Sequence, residues 1–319
     1  MKSLLFVSMF IPTALCAMQE KSIVQVITDQ FVQKDRDKVV LTPIVAQLLR
    51  NDGLYTDTTD SIPLADAVQQ TQATWCNKEW NHTATEEDKK KAARIDNGMA
   101  IIQRLHRPQI IANWRNANIA IGHAGVLPSV IKMFLAMNDL YFSDDTTKLT
   151  VVLSNEPFNN QAIENTPLAS YDQAGEIVHK LNEKVTLPAV VDASKPKTQK
   201  DVVELVRIAF ADAIPDLEVT YVNKEILPAY AQSIKQKTRV AVVSSYPQLE
   251  AHALTFAALT KKNPNFDVIT AYTAGECKEF EPLYDTQSKE EEYNFVRNNF
   301  ARVLYRIQEN MTPESNDKK

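Results

Sequence analysis

From Asn118 onward the chain alternates short apolar runs with amphipathic stretches. Asn118-Ile119-Ala120-Ile121, Leu149–Leu153, Ala189-Val190-Val191, Glu218–Val222, Val240–Val243 and Asp267–Thr270 have the length and apolar content of strands. Between them, apolar positions recurring at helical spacing predict helices over Pro128–Leu140, Ser170–Leu181, Gln199–Ala213 and Gln248–Lys261. Helices interposed between short apolar strands imply an α/β fold: a Rossmann-like, doubly wound, mostly parallel sheet.

Upstream, Ser22 to about Arg115 reads as helical, with Val24, Ile27, Phe31 and then Val40, Ile44, Leu48 at i, i+3/i+4 spacings. Asn51-Asp52-Gly53 breaks the pattern, Ser61-Ile62-Pro63 restarts it, and Asn77–Glu87 reads as a polar loop. At the far end Ser288-Lys289-Glu290-Glu291 forms a capping box. Tyr293, Val296, Phe300, Val303 and Ile307 follow as one apolar stripe, which must pack on the sheet or on the N-terminal helices. The expected organisation is a signal peptide at 1–17, a helical N-terminal region at 18–115, a Rossmann-like α/β domain with its C-terminal helix at 116–311, and a disordered tail at 312–319.

The signal-peptide reading rests on Met1-Lys2-Ser3 followed by the apolar run Leu4–Ala17 with small residues at its end. Cleavage there makes the mature chain secreted or periplasmic. No later stretch approaches the ~20 apolar residues of a membrane span. The whole chain has a formal net charge of −5, which becomes −6 once Lys2 is removed. Without a long basic run, this balance argues against nucleic-acid binding. Lys89-Lys90-Lys91 directly follows Glu86-Glu87-Asp88 and reads as a solvated helix face.

Of three cysteines, Cys76 and Cys277 remain after cleavage. They are a candidate disulfide in an oxidising compartment, with two free thiols as the alternative. Their spacing excludes a zinc ribbon, and no metal-ligand spacing occurs among the five histidines. Asn81-His82-Thr83 is an N-glycosylation sequon.

In an open parallel sheet ligands sit beyond the carboxyl ends of the strands, so the turns after the strands carry the candidate chemistry. Six glycines are few for 319 residues, and two of them fall in Gly122-His123-Ala124-Gly125. Backbone amides of Gly122 and Gly125 at a strand-to-helix turn suit an anion. His123 can act there as general acid or base, or bind phosphate. Ser154-Asn155-Glu156 offers a hydroxyl and a carboxylate, with Glu156 as a candidate base. Ser244-Ser245-Tyr246 offers hydroxyl donors or a helix cap, and His252 in the next helix can reach the same edge. The turns lack G-x-G-x-x-G, a Walker lysine and a G-x-S-x-G elbow. Neither NAD nor ATP is indicated, and the cofactor is unknown.

In order, Ile121-Gly122, Leu153-Ser154, Ala193-Ser194-Lys195-Pro196-Lys197-Thr198 and Val243-Ser244-Ser245-Tyr246-Pro247-Gln248-Leu249-Glu250-Ala251 resemble the motifs of the SanA/ElyC/YdcF-like family of Rossmann-like bacterial envelope proteins. The resemblance covers roughly Asn118 to Tyr272. It implies a ligand site at these strand ends, with Thr198 at its rim, and a place in cell-envelope metabolism. Pro247 stands where that family has a histidine and Glu250 where it has an arginine, and Gln199-Lys200-Asp201 lacks the Glu-Asn that often follows the threonine. Thr198-x-x-Asp201 also reads as an ordinary helix cap.

Three functions follow as expectations. The first is binding of a phosphate- or nucleotide-bearing small molecule by Gly122, His123 and Gly125, with Ser154, Glu156, Thr198, Ser244, Ser245 and Tyr246 around it. The second is a non-catalytic interaction protein with a degenerate site and a protein partner, favoured by Pro247 and Glu250. The third is a secreted serine hydrolase, which requires His123 or His252 within hydrogen-bond reach of Ser244 or Ser245. The sequence leaves open whether the protein is an enzyme.

Overall fold

A computed structural model describes residues 21–56, 61–76, 88–105, 110–111, 117–125, 127–144, 146–154, 198–245, 248–273 and 289–312. In chain order the elements are α1 (Ile23–Phe31), β1 (Val32–Asp35), β2 (Lys38–Leu41), α2 (Pro43–Asn51), α3 (Leu64–Trp75), α4 (Asp88–Leu105), β3 (Ile110–Ile111) and β4 (Ile119–His123). There follow α5 (Leu127–Asp144), β5 (Lys148–Leu153), α6 (Gln199–Ala209), β6 (Glu218–Asn223) and a 3-10 turn at Lys224–Ile226. Last come α7 (Leu227–Ser233), β7 (Thr238–Val243), α8 (Leu249–Lys262), β8 (Phe266–Tyr272) and α9 (Lys289–Met311).

The central runs β4, β5 and β7 become strands because each is buried on both sides, which a parallel sheet with helices on both faces requires, while β6 lies at the exposed edge. Side chains alternate across the sheet. Thus Ile119 and Ile121 of β4 enter one core and Ala120 the other, as Val240 and Val242 of β7 are separated from Ala241 and Val243. The six strands run in the order β3-β8-β7-β4-β5-β6, with β3 antiparallel to β8 at one edge and the other five parallel. α5 and α6 cover one face, where Phe134 and Phe210 pack with ring centroids 5.5 Å apart. α7 and α8 cover the other. The fold is therefore a Rossmann-like, doubly wound α/β architecture. Numbered by succession, its parallel strands run 5-4-1-2-3, and the order reverses between β4 and β7.

The N-terminal elements share one continuous core with the α8 face. α1 packs on α8 and β8, and α9 bridges α8 to α3 and α4. The predicted stripe of α9 is buried, Tyr293, Val296, Phe300, Val303 and Ile307 included, and Phe300 meets the Phe31 ring at 5.3 Å. Beneath it lies a buried ionic knot. Asp52 accepts from Arg297 Nη1 at 2.5 Å and from Tyr293 Oη at 2.6 Å, and the Arg297 guanidinium lies over the Tyr293 ring.

One departure from the predicted N-terminal helices is a β-hairpin. Val40, grouped with Ile44 and Leu48 by its spacing, lies on β2 opposite Gln33 of β1. The β-branched pair Val39-Val40 favours an extended ribbon, and Arg36 takes a left-handed φ of 54° to turn it. The expected strand at Ala189–Val191, helix at Ser170–Leu181, loop at Asn77–Glu87, signal segment and residues 313–319 lie outside the described residues. Among the described residues no helix is long and apolar enough to cross a membrane.

Candidate functional site

The reversal of strand order puts the carboxyl ends of β4 and β7 side by side, with Ile121 level with Val242. β4 continues through Gly122 and His123, so these two expected turn residues belong to the strand. Gly122 is there for packing: a Cβ would sit 2.6 Å from Met133 Sδ of α5 and 2.7 Å from the Val243 carbonyl oxygen. Gly125 is looser, with a Cβ reaching 3.2 Å from Ser129 Cβ.

His123 continues the Ile119, Ile121 side of β4 and meets α8. Its ring lies 4.3 Å, centroid to centroid, from that of His252 and stacks on Phe256 at 5.1 Å. His252 and Phe256 are one helical turn apart, so both come off the same side of α8. Immediately after β7, Ser244 Oγ lies 2.8 Å from His252 Nδ1. Its backbone N–H donates to the Tyr272 carbonyl, which carries the sheet one residue further. Ser245 Oγ approaches Gln248 Oε1 at 3.4 Å, and the Gln248 N–H donates to the Ser245 carbonyl, turning the chain into α8.

One strand over, Ser154 N–H donates to Gln199 Oε1 at 3.0 Å, tying the end of β5 to the start of α6. Thr198 closes that start. Its hydroxyl accepts from Asp201 N–H at 3.1 Å, while its own N–H donates to Asp201 Oδ2 at 2.9 Å. The structure thus gathers His123, Ser244 and His252 into one group, with Gly122 and Ser245 adjoining, and engages Thr198 in a capping box. Glu156 and Tyr246 lie outside the described residues, as does Cys277. Cys76 is a half-buried free thiol at the end of α3.

Burial keeps both imidazoles neutral. It pulls His123 from 6.5 down to about 4, with the nearby Lys224 ammonium adding to the effect. His252 is held well below its ordinary value, by burial first and then by the charges of His123, Arg302 and Lys224. Each ring therefore offers one acceptor nitrogen and one N–H donor at neutral pH. Glu250, in the first turn of α8, is pushed up to about 7 by burial.

Phe256 and Lys224 are site residues that the sequence reading misses. Phe256 follows His252 at i+4, and Lys224 lies two residues past the predicted strand Glu218–Val222, so each carries a local signal. Among the described residues no three His, Cys, Asp or Glu side chains converge to hold a metal ion.

The arrangement can accept a proton at one imidazole and donate from another, with the Ser244 hydroxyl buried beside them. α5 and α8 both start at this edge, directly after β4 and β7, and their N-termini add partial positive charge. No family model, curated protein or solved structure matches the chain.

Proposed function

We propose that the crevice where β4 and β7 end binds a small phosphate-bearing or nucleotide-like molecule. The observation that carries this reading is the gathering of His123, Ser244 and His252 at the point where strand order reverses. Doubly wound sheets bind ligands at that point. Two helix N-termini and the Lys224 ammonium supply positive potential there, and the two neutral imidazoles supply hydrogen bonds at no charge cost. The resemblance of the strand-end motifs to the SanA/ElyC/YdcF-like family supports a role in the cell envelope. The Leu4–Ala17 run supports a secreted or periplasmic setting.

The test is a thermal-shift panel of nucleotides, sugar phosphates and prenyl phosphates on the purified protein, with His123→Gln alongside. A ligand bound only by the folded state adds about 2.7 kcal/mol at one hundred times its dissociation constant. The expected result is a shift in the parent that the variant loses. A ligand that shifts both proteins equally overturns the placement of the site at His123. A flat panel turns the conclusion toward a protein-binding role, with Glu250 in place of the family's arginine as its basis.

A further inference from the structure

We propose that Ser244 and His252 are a nucleophile and its general base, and that the crevice opens an acyl ester carried by its small ligand. This rests on the binding site inferred above and adds a reaction to it.

Four observations carry the step. Ser244 Oγ lies 2.8 Å from an imidazole nitrogen, the contact that activates a serine. The fold does not draw on this hydroxyl, since Ser245 and Gln248 make the turn into α8 and the Ser244 backbone extends β7. The base is held in place, since the His252 ring packs on that of His123, which stacks in turn on Phe256. The base is also available, because burial leaves His252 unprotonated at neutral pH.

The chemistry balances with water alone. Ser244 Oγ attacks the ester carbonyl carbon while its proton passes to His252 Nδ1. The carbon–oxygen bond to the leaving group breaks, and the departing alkoxide takes that proton. Water then adds to the acyl-Ser244 carbonyl, again losing a proton to His252. The acid leaves as Ser244 Oγ recovers the proton. The Lys224 charge, which acts on both histidines, adds positive potential at this end of the sheet.

The experiment is covalent labelling of the purified protein with a fluorophosphonate probe, read by intact mass and peptide mapping, beside hydrolysis of p-nitrophenyl butyrate. One adduct on Ser244 is expected, with none in Ser244→Ala. His252→Asn keeps a hydrogen-bonding group at the Nδ1 position but cannot take the proton, and should label at least tenfold more slowly. Ser233→Ala, at an exposed position of α7, serves as the control, and urea midpoints verify that each variant folds. Absence of a Ser244 adduct in folded protein, or undiminished labelling of His252→Asn, overturns the assignment. A protein that passes the ligand panel but takes no adduct loses the reaction and keeps the binding site.

Discussion

His123 and His252 face each other with ring centroids 4.3 Å apart, one from the end of β4 and the other from the first turns of α8. Two imidazoles at that distance, both shielded from water, cannot both carry a proton without strong repulsion. The site is therefore neutral while the helix ends and lysine around it are positive.

That pairing fixes a dependence of stability on pH. Unfolded, His123 titrates near 6.5; folded, near 4. Between those values the unfolded chain binds more protons, so stability is full above pH 6.5 and is lost as pH falls toward 4. His123 alone accounts for at most about 3.5 kcal/mol, at about 1.4 kcal/mol per unit. Glu250 has the opposite sign: raised from 4.5 to about 7, it loses stability as pH rises through that window. Urea melts at pH 5 and pH 8 separate the two. His123→Gln narrows the acid loss, and Glu250→Gln gains stability at pH 8. Superimposable profiles for parent and variants would sink both assignments.

Gly98 and Gly122 make a paired prediction. In an exposed helix Gly→Ala gains about 1 kcal/mol. In α4, however, a Cβ on Gly98 runs into the phenol of Tyr293, which Asp52 holds in place. Gly98→Ala is expected to destabilise by about 1–3 kcal/mol, and Gly122→Ala by a similar amount against Met133 and the Val243 carbonyl. A gain in the denaturation midpoint of either variant would contradict the close approach.

The Asp52–Arg297 pair is nearly dry, with side chains 1% and 10% exposed. Arg297→Met strands a buried carboxylate and costs about 3–5 kcal/mol. The double change Asp52→Leu with Arg297→Met recovers much of that loss, because no unpaired charge remains. Simple additivity in a double-mutant cycle would refute the coupling.

Thr198→Ala costs about 1 kcal/mol through loss of the α6 cap, and Thr198→Ser restores most of it. Ligand affinity that drops in Thr198→Ala and stays low in Thr198→Ser would instead give Thr198 a direct place in the site.

The central strands of the sheet were legible because Val240–Val243 and Leu149–Leu153 are apolar on both faces, whereas β3 fell within a stretch read as helical. The hairpin was not legible. Its turn uses Arg36 where Gly or Asn would have announced a left-handed residue, and three of the four β1 residues are exposed. In the site, His123 and Ser244 could each be placed at a strand end from their own neighbourhoods. That both reach His252 depends on β7 lying beside β4, a long-range fact that local sequence does not contain. Gly122 shows the same limit: its need for a bare α-carbon comes from Met133, a helical turn and more into α5. Thr198 was the reverse case, since Thr198-x-x-Asp201 already spelled out the cap that the structure shows.

The two faces of the sheet must close at different times. The α5–α6 side draws its buried residues from between Ala117 and Val243 and can condense once that stretch has left the ribosome. The other side also needs α1, before that stretch, and the 23 residues of α9, after it. Until α9 has been made, the faces of α3 and α8 that pack on it have no cover. The nascent protein therefore carries a sticky, half-built surface until α9 emerges.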